Sequence, residues 1–408
     1  MKWTNSKEFF SELLQQARIT INGKNPWDMQ IHNEKTYNRV IKDGLLGLGE
    51  AYMDKWWDSE RLDQFFERAI REDLSSKIKA NPFLTLKLLM LKIINLQTKE
   101  RSLEVGLKHY DLGNELFKAM LDSRMNYTCG YWKNATNLED AQRDKLELTC
   151  QKLMLKPGMR LLDIGCGFGG LAKYAAENFG VSVVGITISQ QQCDYAKQNC
   201  AGLPVEIRFQ DYRDLNEKFD RISSLGMFEH VGPLNYRTYM EVANKSLTND
   251  GIFLLHTIGE NTSAFSINEW MAKYIFPNAV LPSISQIGTA SEGLLVLEDW
   301  HNFGADYDKT LMAWHANFIQ HWDQLKKYYD ERFYRMWNYY LLCCAGSFRA
   351  RYIQLWQMVF TKNGLLGGYQ APRLEAKSSD LSKPSSFDHS QVESSSTSTH
   401  KNTENNLA

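Results

Sequence analysis

The stretch MRLLDIGCGFGG, residues 159–170, decides the fold of this chain. Its first half is a short apolar run of the kind found in strands buried on both faces, and its second half supplies glycines for a sharp turn into a helix. Similar apolar runs, separated by helical stretches, follow at 181–187, 205–209, 220–226 and 251–257. Because strands and helices alternate, we predict a doubly wound, mostly parallel α/β sheet.

The glycine turn at 165–170 is typical of a cofactor site. It satisfies the dinucleotide pattern G-x-G-x-x-G, which alone is a weak signal. However, Asp163 stands two positions before the first glycine, Gly169 adds a further glycine, and the second strand ends in Thr187 and polar 189–192 rather than in an acidic residue. The form D-x-G-x-G-x-G resembles the first motif of methyltransferases that use S-adenosylmethionine (SAM). We therefore predict a Rossmann-like class I methyltransferase sheet with helical additions, rather than a dehydrogenase or a loop without a ligand.

Composition excludes several classes of protein. The chain has 408 residues, of which 43% are hydrophobic and 23% charged, and this balance excludes a largely disordered, collagen-like or coiled-coil protein. A net charge of −1 disfavours a nucleic-acid partner. The seven cysteines form no C-x-x-C pair, so we expect free thiols and no metal site. The polar N-terminus and the lack of about 18 uninterrupted apolar residues favour a cytoplasmic protein without a membrane span.

Changes in composition along the chain predict four regions. These are a smaller N-terminal domain at 1–80, a linker helix at 81–106, a catalytic domain at 107–370 and a tail at 371–408. The tail is rich in Ser, Thr and Asn and nearly free of large apolar residues, so we expect it to be disordered. Within the catalytic domain, we predict helices rich in aromatic residues over 309–361.

Two segments of the N-terminal part each allow two interpretations. Residues 44–58, rich in glycine and tryptophan, favour a tight loop buried by Trp56 and Trp57 over a ligand contact, and the apolar spacing of 62–74 predicts a helix. Segment 77–101 carries six basic residues and one acidic residue beside a long apolar run. It suits a helix on an anionic membrane surface, but its polar positions form no clean stripe, so we favour a buried linker helix.

Five stretches together resemble the bacterial cyclopropane-fatty-acyl-phospholipid synthases. The matching stretches are 161–189, 226–236, 251–259, 298–314 and 343–357. The resemblance covers about 1–370 and includes 44–58 of the N-terminal domain, a domain that the related mycolic-acid cyclopropane synthases and methyltransferases lack. The tail after 371 is unmatched. Two departures are Phe168, where the family commonly has Trp, and Lys55, where it commonly has Gly.

The resemblance implies a reaction and its setting. SAM supplies a methyl carbon that is added across the cis double bond of an unsaturated acyl chain in a membrane phospholipid, which gives a cyclopropane ring and S-adenosylhomocysteine. Bicarbonate is implied as a bound base. A lipid- or membrane-binding N-terminal domain, peripheral association with the inner face of the membrane, and a homodimer are also implied.

The resemblance also implies the residues of the site. Bicarbonate would be held by the set Cys129, Glu229, His256, Tyr307 and the backbone N–H of Ile258, with Glu229 accepting the O–H of the ion. SAM would be held by the set Tyr127, Thr128, Asp163, Gly165, Gly167, Gly169, Thr187, Gln192 and Tyr212. In that set, Gln192 would bind the ribose and Tyr212 would stack on the adenine. Cys344 matches a position often treated as an active-site cysteine, and a small buried packing residue is an equally good interpretation.

Two other functions stay open at this point. A related lipid C-methyltransferase would leave a methyl branch in place of a ring. A lipid-binding protein with a degenerate methyltransferase domain would have no activity at all. The second is disfavoured by the intact glycine turn and by the presence of Glu229, His256 and Tyr307, since an inactive copy should have lost some of these.

Overall fold

The computed structural model describes residues 6–77, 95, 97–99 and 113–373. Its N-terminal part consists of helices and a two-stranded antiparallel sheet. The elements are α1 (Ser6–Gln16), β1 (Gln30–Ile31), α2 (Lys35–Met53), β2 (Trp57–Asp58), α3 (Leu62–Arg71) and α4 (Leu74–Lys77). The helix predicted over 62–74 therefore ends earlier, and Asp73, with a φ of 48°, separates α3 from α4.

The part from residue 113 onward is built around a seven-stranded sheet. Its first half contains α5 (Asn114–Met120), α6 (Leu138–Lys152), β3 (Arg160–Ile164), α7 (Gly170–Phe179), β4 (Ser182–Thr187), α8 (Gln190–Asn199), β5 (Val205–Phe209) and β6 (Phe219–Leu225). Its second half contains α9 (Tyr236–Ser246), β7 (Leu247–Glu260), α10 (Glu269–Tyr274), α11 (Ile284–Ser291), β8 (Val296–Asn302), α12 (Ala305–Gln320), α13 (Trp322–Leu325), α14 (Glu331–Arg349) and β9 (Ile353–Thr361).

The strand order of this sheet is β5-β4-β3-β6-β7-β9-β8. The first five strands in that order run parallel, whereas β9 pairs antiparallel with both β7 and β8. Leu161 and Leu162 of β3 point into different hydrophobic clusters, so the strand is buried on both faces. The doubly wound, mostly parallel sheet is thus confirmed. The chain order reverses at β3, between β4 and β6, and sheets of this kind bind ligands beyond the carboxyl ends of the strands at that point.

Two predictions of local structure are wrong. Helices do not fill 309–361, because Ile353–Thr361 forms strand β9, in which all nine residues are buried. A strand buried on both faces lacks polar alternation, so its aromatic residues looked like a continuation of the preceding helices. Residues 44–58 are not a tight loop, because the stretch up to Met53 belongs to α2, which is kinked at Gly44 with a φ of 58°.

The N-terminal helices pack against α14 of the larger part. Arg349 of α14 pairs with Asp63 of α3 at 2.6 Å. The predicted domain boundaries stay predictions. The linker helix at 81–106 and the basic segment 77–101 lie almost entirely outside the described residues, and the tail from 374 lies wholly outside them. None of the described helices combines the length and the apolar character that crossing a membrane requires.

Candidate active site

The turn after β3 forms a cradle at the carboxyl edge of the sheet. Gly165, Gly167 and Gly169 have φ values of 79°, 53° and 83°, a region that residues with side chains rarely adopt. A methyl group built on Gly167 would meet no atom within 4 Å. This residue borders a cavity of about 1100 Å³. The backbone is therefore open to close approach by a ligand, as a SAM site requires.

The side of the cradle toward β4 and β5 carries neutral polar groups. Thr187, at the end of β4, donates from Oγ1 to Oε1 of Gln192 on α8 at 3.2 Å. Tyr212 follows β5, and its buried hydroxyl has no hydrogen-bond partner among the described residues. Burial raises the pKa of Tyr212 to about 12. We call the part of the cavity around the glycine cradle the cofactor end. Its neutral side chains Thr187, Gln192 and Tyr212 are called the nucleoside half, because uncharged groups of this kind suit a ribose and an adenine ring.

The side of the cradle toward β6 carries buried charge. Asp163 on β3 accepts a hydrogen bond from Ser223 at 2.8 Å, and burial raises its pKa to about 6. Lys145 on α6 lines the same cavity and donates to Oγ1 of Thr128 at 3.0 Å. Sequence reasoning missed Lys145, although it follows Ala141 by four residues on the buried face of α6. We call Lys145 and Asp163 the charged half of the cofactor end.

Two buried polar side chains lie beyond β6 and on β7. Glu229 accepts the backbone N–H of Ile258 on Oε1 at 2.7 Å, and burial raises its pKa to about 7. Nδ1 of His256 lies 3.3 Å from Nε2 of Gln357, and burial lowers the pKa of His256 well below its usual value. Oε2 of Glu229 and Nε2 of His256 are buried without a hydrogen-bond partner in the described part of the chain. Buried polar atoms in that state can be satisfied by an ordered water or by another bound polar group.

Tyr307, Cys129 and Cys344 come from outside the parallel strands. Tyr307 lies on α12, and its ring centroid is 4.5 Å from that of Phe348. The thiol of Cys129 is buried and donates to the carbonyl oxygen of Gly130 at 3.2 Å. Burial raises the pKa of both Cys129 and Cys344 well above its usual value. Raised pKa values of this kind disfavour a thiolate at either position. Cys344 is partly exposed and borders the cavity, so its role stays a prediction.

One cavity brings most of the predicted site residues together. It is lined by Tyr127, Thr128, Asp163, Gly165, Gly167, Thr187, Gln192, Tyr212, Glu229, Ile258, Tyr307 and Cys344. Cys129, Gly169 and His256 are not among the described residues of its lining. No group of three or more His, Cys, Asp or Glu side chains suited to a metal ion occurs in the described ranges.

The cavity continues from the cofactor end toward the N-terminal helices. Its apolar lining there includes Phe10 on α1, Leu48 on α2, Phe65 and Ile70 on α3, and Leu74 on α4. The larger part of the protein contributes Phe276, Ala279, Leu281, Tyr340 and Phe348. We call this region the apolar end. Sequence reasoning did not predict that the N-terminal helices form a wall of the site, because no local motif marks contacts between segments so far apart in the chain.

Comparison with known proteins agrees with this geometry. Residues 97–358 match the family model described as mycolic acid cyclopropane synthetase. The chain is 55% identical to the cyclopropane-fatty-acyl-phospholipid synthase of Escherichia coli K12 over 87% of this chain and 94% of that protein. The structure of the cyclopropane synthase MmaA2 from Mycobacterium tuberculosis has a TM-score of 0.60 and 31% identity, covering 64% of this chain and 98% of its own. The structure of the mycolic acid cyclopropane synthase CmaA1, complexed with SAH and CTAB, has a TM-score of 0.60 and 30% identity, and the match covers 64% of this chain and 98% of CmaA1.

The fold and the site first define a class of protein. A mostly parallel seven-stranded sheet with a glycine cradle at its switch point is the architecture of class I SAM-dependent methyltransferases, and the chain is an enzyme of that class. Within the class, the chain belongs to the mycolic acid cyclopropane synthetase family. The predicted fold class, the dependence on SAM and the family resemblance are confirmed, whereas the roles of the individual site residues stay predictions.

Proposed function

We propose that this protein is a cyclopropane-fatty-acyl-phospholipid synthase, which transfers a methylene group from SAM to the cis double bond of an unsaturated acyl chain. The observation that carries the proposal is the continuous cavity, with a glycine cradle at one end and an apolar wall at the other. A charged methyl donor and a long hydrocarbon acceptor need both environments at once. The 55% identity to the Escherichia coli synthase supports a phospholipid as the acceptor.

The chemistry of the acceptor explains the apolar end. An alkene is a weak nucleophile and SAM is a cation, so methyl transfer moves positive charge onto hydrocarbon. An apolar cavity excludes the water that would trap a carbocation. Aromatic faces attract a cation through their quadrupoles, and Tyr307, Tyr340 and Phe348 supply such faces in the lining.

Ring closure needs a base, and we propose bound bicarbonate for this role. When bound, bicarbonate would supply a basic oxygen for the proton that leaves the methyl-derived carbon. Glu229 borders the cavity, and its Oε2 lacks a partner among the described residues and can accept an O–H, which fits such an ion. Nε2 of His256 is a second buried atom without a partner there and can donate an N–H, although His256 is not in the described lining of the cavity. Burial and then the charges of Lys145 and Lys152 lower the pKa of His256. Positive potential at this imidazole favours an anion.

Two members of the implied anion set already have partners. The N–H of Ile258 donates to Glu229, and the thiol of Cys129 donates to Gly130. In our proposal the Ile258 contact therefore orients the carboxylate of Glu229, and Cys129 contributes packing. Tyr307 borders the same cavity as Glu229, and we propose its O–H as a further donor to the anion. Glu229 must be ionised to accept the O–H of bicarbonate.

We further propose that the protein works as a homodimer at the surface of a membrane. The reacting double bond lies inside a bilayer, so the acyl chain has to be drawn into the cavity. Ile41 and Leu45 are exposed on either side of the kink at Gly44, and all three border the cavity. This part of α2 is therefore the entry point that the proposal favours.

Binding to anionic vesicles tests the membrane part of the proposal. If segment 77–101 docks on the lipid surface, binding should weaken with salt and with the paired changes Lys87→Glu and Lys92→Glu, since each basic residue near the surface contributes about 1 kcal/mol. Binding that is indifferent to salt and to both changes would favour the buried linker helix instead. The dimer is tested by the mass of the protein in solution.

Proton NMR of the fatty acids tests the reaction itself. The full chain is incubated with SAM and vesicles of an unsaturated phospholipid, and saturated vesicles serve as the control because they offer no double bond. High-field signals of ring protons are expected only with the unsaturated lipid. A methyl branch would identify a lipid C-methyltransferase, and unaltered lipid that nevertheless binds tightly would identify a protein without activity.

A further inference from the structure

Lys145 is a buried cation at the cofactor end of the cavity. It is 1% exposed and lines the cavity together with Thr128 and Asp163. Its Nζ donates to Oγ1 of Thr128 at 3.0 Å and to Oδ1 of Asn126 at 3.3 Å. Both acceptors are uncharged, and Lys145 forms no ion pair within 4.0 Å among the described residues. One of its three ammonium hydrogens therefore has no acceptor in this part of the structure.

The nearest carboxylates are engaged elsewhere. Asp122 accepts the backbone N–H of Asn126 at 2.8 Å and its side-chain amide at 2.8 Å. Asp163 accepts from Ser223 at 2.8 Å. Burial lowers the pKa of Lys145 to about 8, although Asp122 and Asp163 act in the opposite direction. A buried ammonium without a close counter-charge is costly, so an anionic ligand would gain by pairing with it.

Lys152, on the same helix, is the contrasting case. It is fully buried, and its Nζ lies 3.5 Å from Oδ2 of Asp299 and 3.1 Å from Nδ1 of His301. Asp299 is also held by Arg373 at 2.7 Å. Lys152 is not among the described residues that line the cavity. The chain thus provides its own carboxylate for one buried lysine of α6 and leaves the other open toward the cofactor end.

We propose that Lys145 binds the carboxylate of the methionyl group of SAM and so orients the cofactor in the cavity. SAM carries its carboxylate and amino group at one end and an uncharged nucleoside at the other. The two halves of the cofactor end match this distribution, with Lys145 for the carboxylate, Asp163 for the amino group and neutral side chains for the nucleoside. The inference rests on the SAM dependence stated above and extends it to a residue that no motif marks.

Calorimetric titration of the full chain with SAM and with decarboxylated SAM tests this assignment. Wild type is expected to bind SAM about 10- to 150-fold more tightly than decarboxylated SAM, since a hydrogen bond to a charged group contributes about 1.5–3 kcal/mol. Lys145→Met should reduce that preference to about threefold or less, because it should lower the affinity for SAM and leave the affinity for decarboxylated SAM unchanged. Lys145→Gln keeps a donor for Thr128 and should lose the preference as well. Lys152→Met, a change at the paired lysine, should leave the preference intact.

Several outcomes would overturn the proposal. One is an unchanged preference for SAM in Lys145→Met. Another is an equal loss of affinity for both ligands, which is the result expected if Lys145 only stabilises Asp163. If circular dichroism finds that the methionine variant does not fold, the test uses the glutamine variant and the wild type. A wild type that binds SAM and decarboxylated SAM equally would have no contact with the carboxylate and would overturn the proposal. A wild type that binds neither ligand would contradict the cofactor assignment itself.

Discussion

The cofactor end and the apolar end of the cavity are built in different ways. Most of the cofactor end comes from β3, from the turn after it and from residues that end or follow β4 and β5, which the strand order brings together, and Lys145 of α6 is added by packing. The apolar end comes from α1 to α4, α10, α14 and loops, which are far apart in the chain. The comparison teaches that the proposed site of the methyl donor depends mainly on local motifs, whereas the proposed site of the acceptor depends on long-range packing.

The largest effect is expected at Glu229, which borders the cavity. Glu229→Gln keeps the shape of the side chain but replaces an acceptor oxygen with a donor, so the O–H of the proposed bicarbonate would lose its partner. We expect turnover to fall by about 100-fold or more, about 2.7 kcal/mol at 1.36 kcal/mol per decade. Initial rates measure the loss, and calorimetry should find SAM affinity nearly unchanged.

Bicarbonate itself provides the control for this prediction. Carbonate-depleted buffer should slow the wild type, and added bicarbonate should restore it, while the glutamine variant should respond weakly. A wild type indifferent to bicarbonate, together with a variant near full activity, would mean that the base is a side chain not considered above.

A change in the cradle should affect the cofactor end alone. Gly167→Val adds a branched side chain at a φ of 53°, where it would project into open space of the cavity. We expect SAM affinity to weaken by about 100-fold, about 2.7 kcal/mol. Gly202→Val is the matched control, because Gly202 has a φ of 83° and open space around it but does not line the cavity. Equal losses in both variants would trace the effect to backbone strain.

A change in the apolar end should spare the cofactor. Ile70→Asp puts a carboxylate into the apolar lining on α3, where an acyl chain would have to desolvate it. We expect the KM for unsaturated phospholipid to rise about tenfold, an effect of about 1.4 kcal/mol, at unchanged SAM affinity. Ile319→Asp is the control, since Ile319 is 40% exposed on α12 and away from the cavity. If Ile70→Asp matches its control in KM, the N-terminal helices do not bind the acceptor.

The pH dependence of stability tests whether Glu229 is buried as described. Its pKa is raised from 4.5 to about 7 by burial, so the folded protein holds this proton more tightly than the unfolded chain. Its contribution to the free energy of unfolding is therefore fully present below pH 4.5 and is lost as pH rises through about 7, by about 1.4 kcal/mol per pH unit between the two values. Activity should change in the opposite direction, because it needs the ionised carboxylate.

Urea unfolding of the wild type and of Glu229→Gln across this pH range measures the effect. The difference between the two curves isolates Glu229 from Asp163 and Lys145, whose pKa values are also displaced. Parallel curves would mean that the carboxyl group is solvated.

The smallest effect is expected at Lys55, outside both ends. Lys55 follows α2 and has a φ of 62°. The N–H of Lys55 donates to the carbonyl oxygen of Tyr52, and the N–H of Trp56 donates to the carbonyl oxygen of Ala51. This is a Schellman ending, which favours glycine at the position of Lys55. Lys55→Gly should raise the free energy of unfolding by about 1 kcal/mol without altering turnover. A loss of stability would indicate that the exposed ion pair between Lys55 and Glu331, at 3.7 Å, contributes more than the relief of backbone strain at this position.

Sequence reasoning succeeded where the signal is local. The strands β3 to β6 and the glycine turn follow from short apolar runs and glycine spacing, and the family motifs carry Glu229 and Tyr307 to the cavity. It failed for β9, because a strand buried on both faces has no period to distinguish it from a buried helix. It also missed Lys145, because a lysine in an amphipathic helix is normally exposed and only tertiary packing buries it here.

SAM with a fully deuterated methyl group tests the central claim most directly, that both ends of the cavity serve one cyclopropanation. The carbon of that methyl group becomes the ring carbon only if one of its hydrogens leaves. Mass spectrometry of the fatty acids from unsaturated vesicles should therefore find two deuterium atoms retained, with ring protons in the NMR spectrum of the unlabelled product. Three retained deuterium atoms would mean a methyl branch, and an acyl chain without label would mean that the apolar end binds no acceptor.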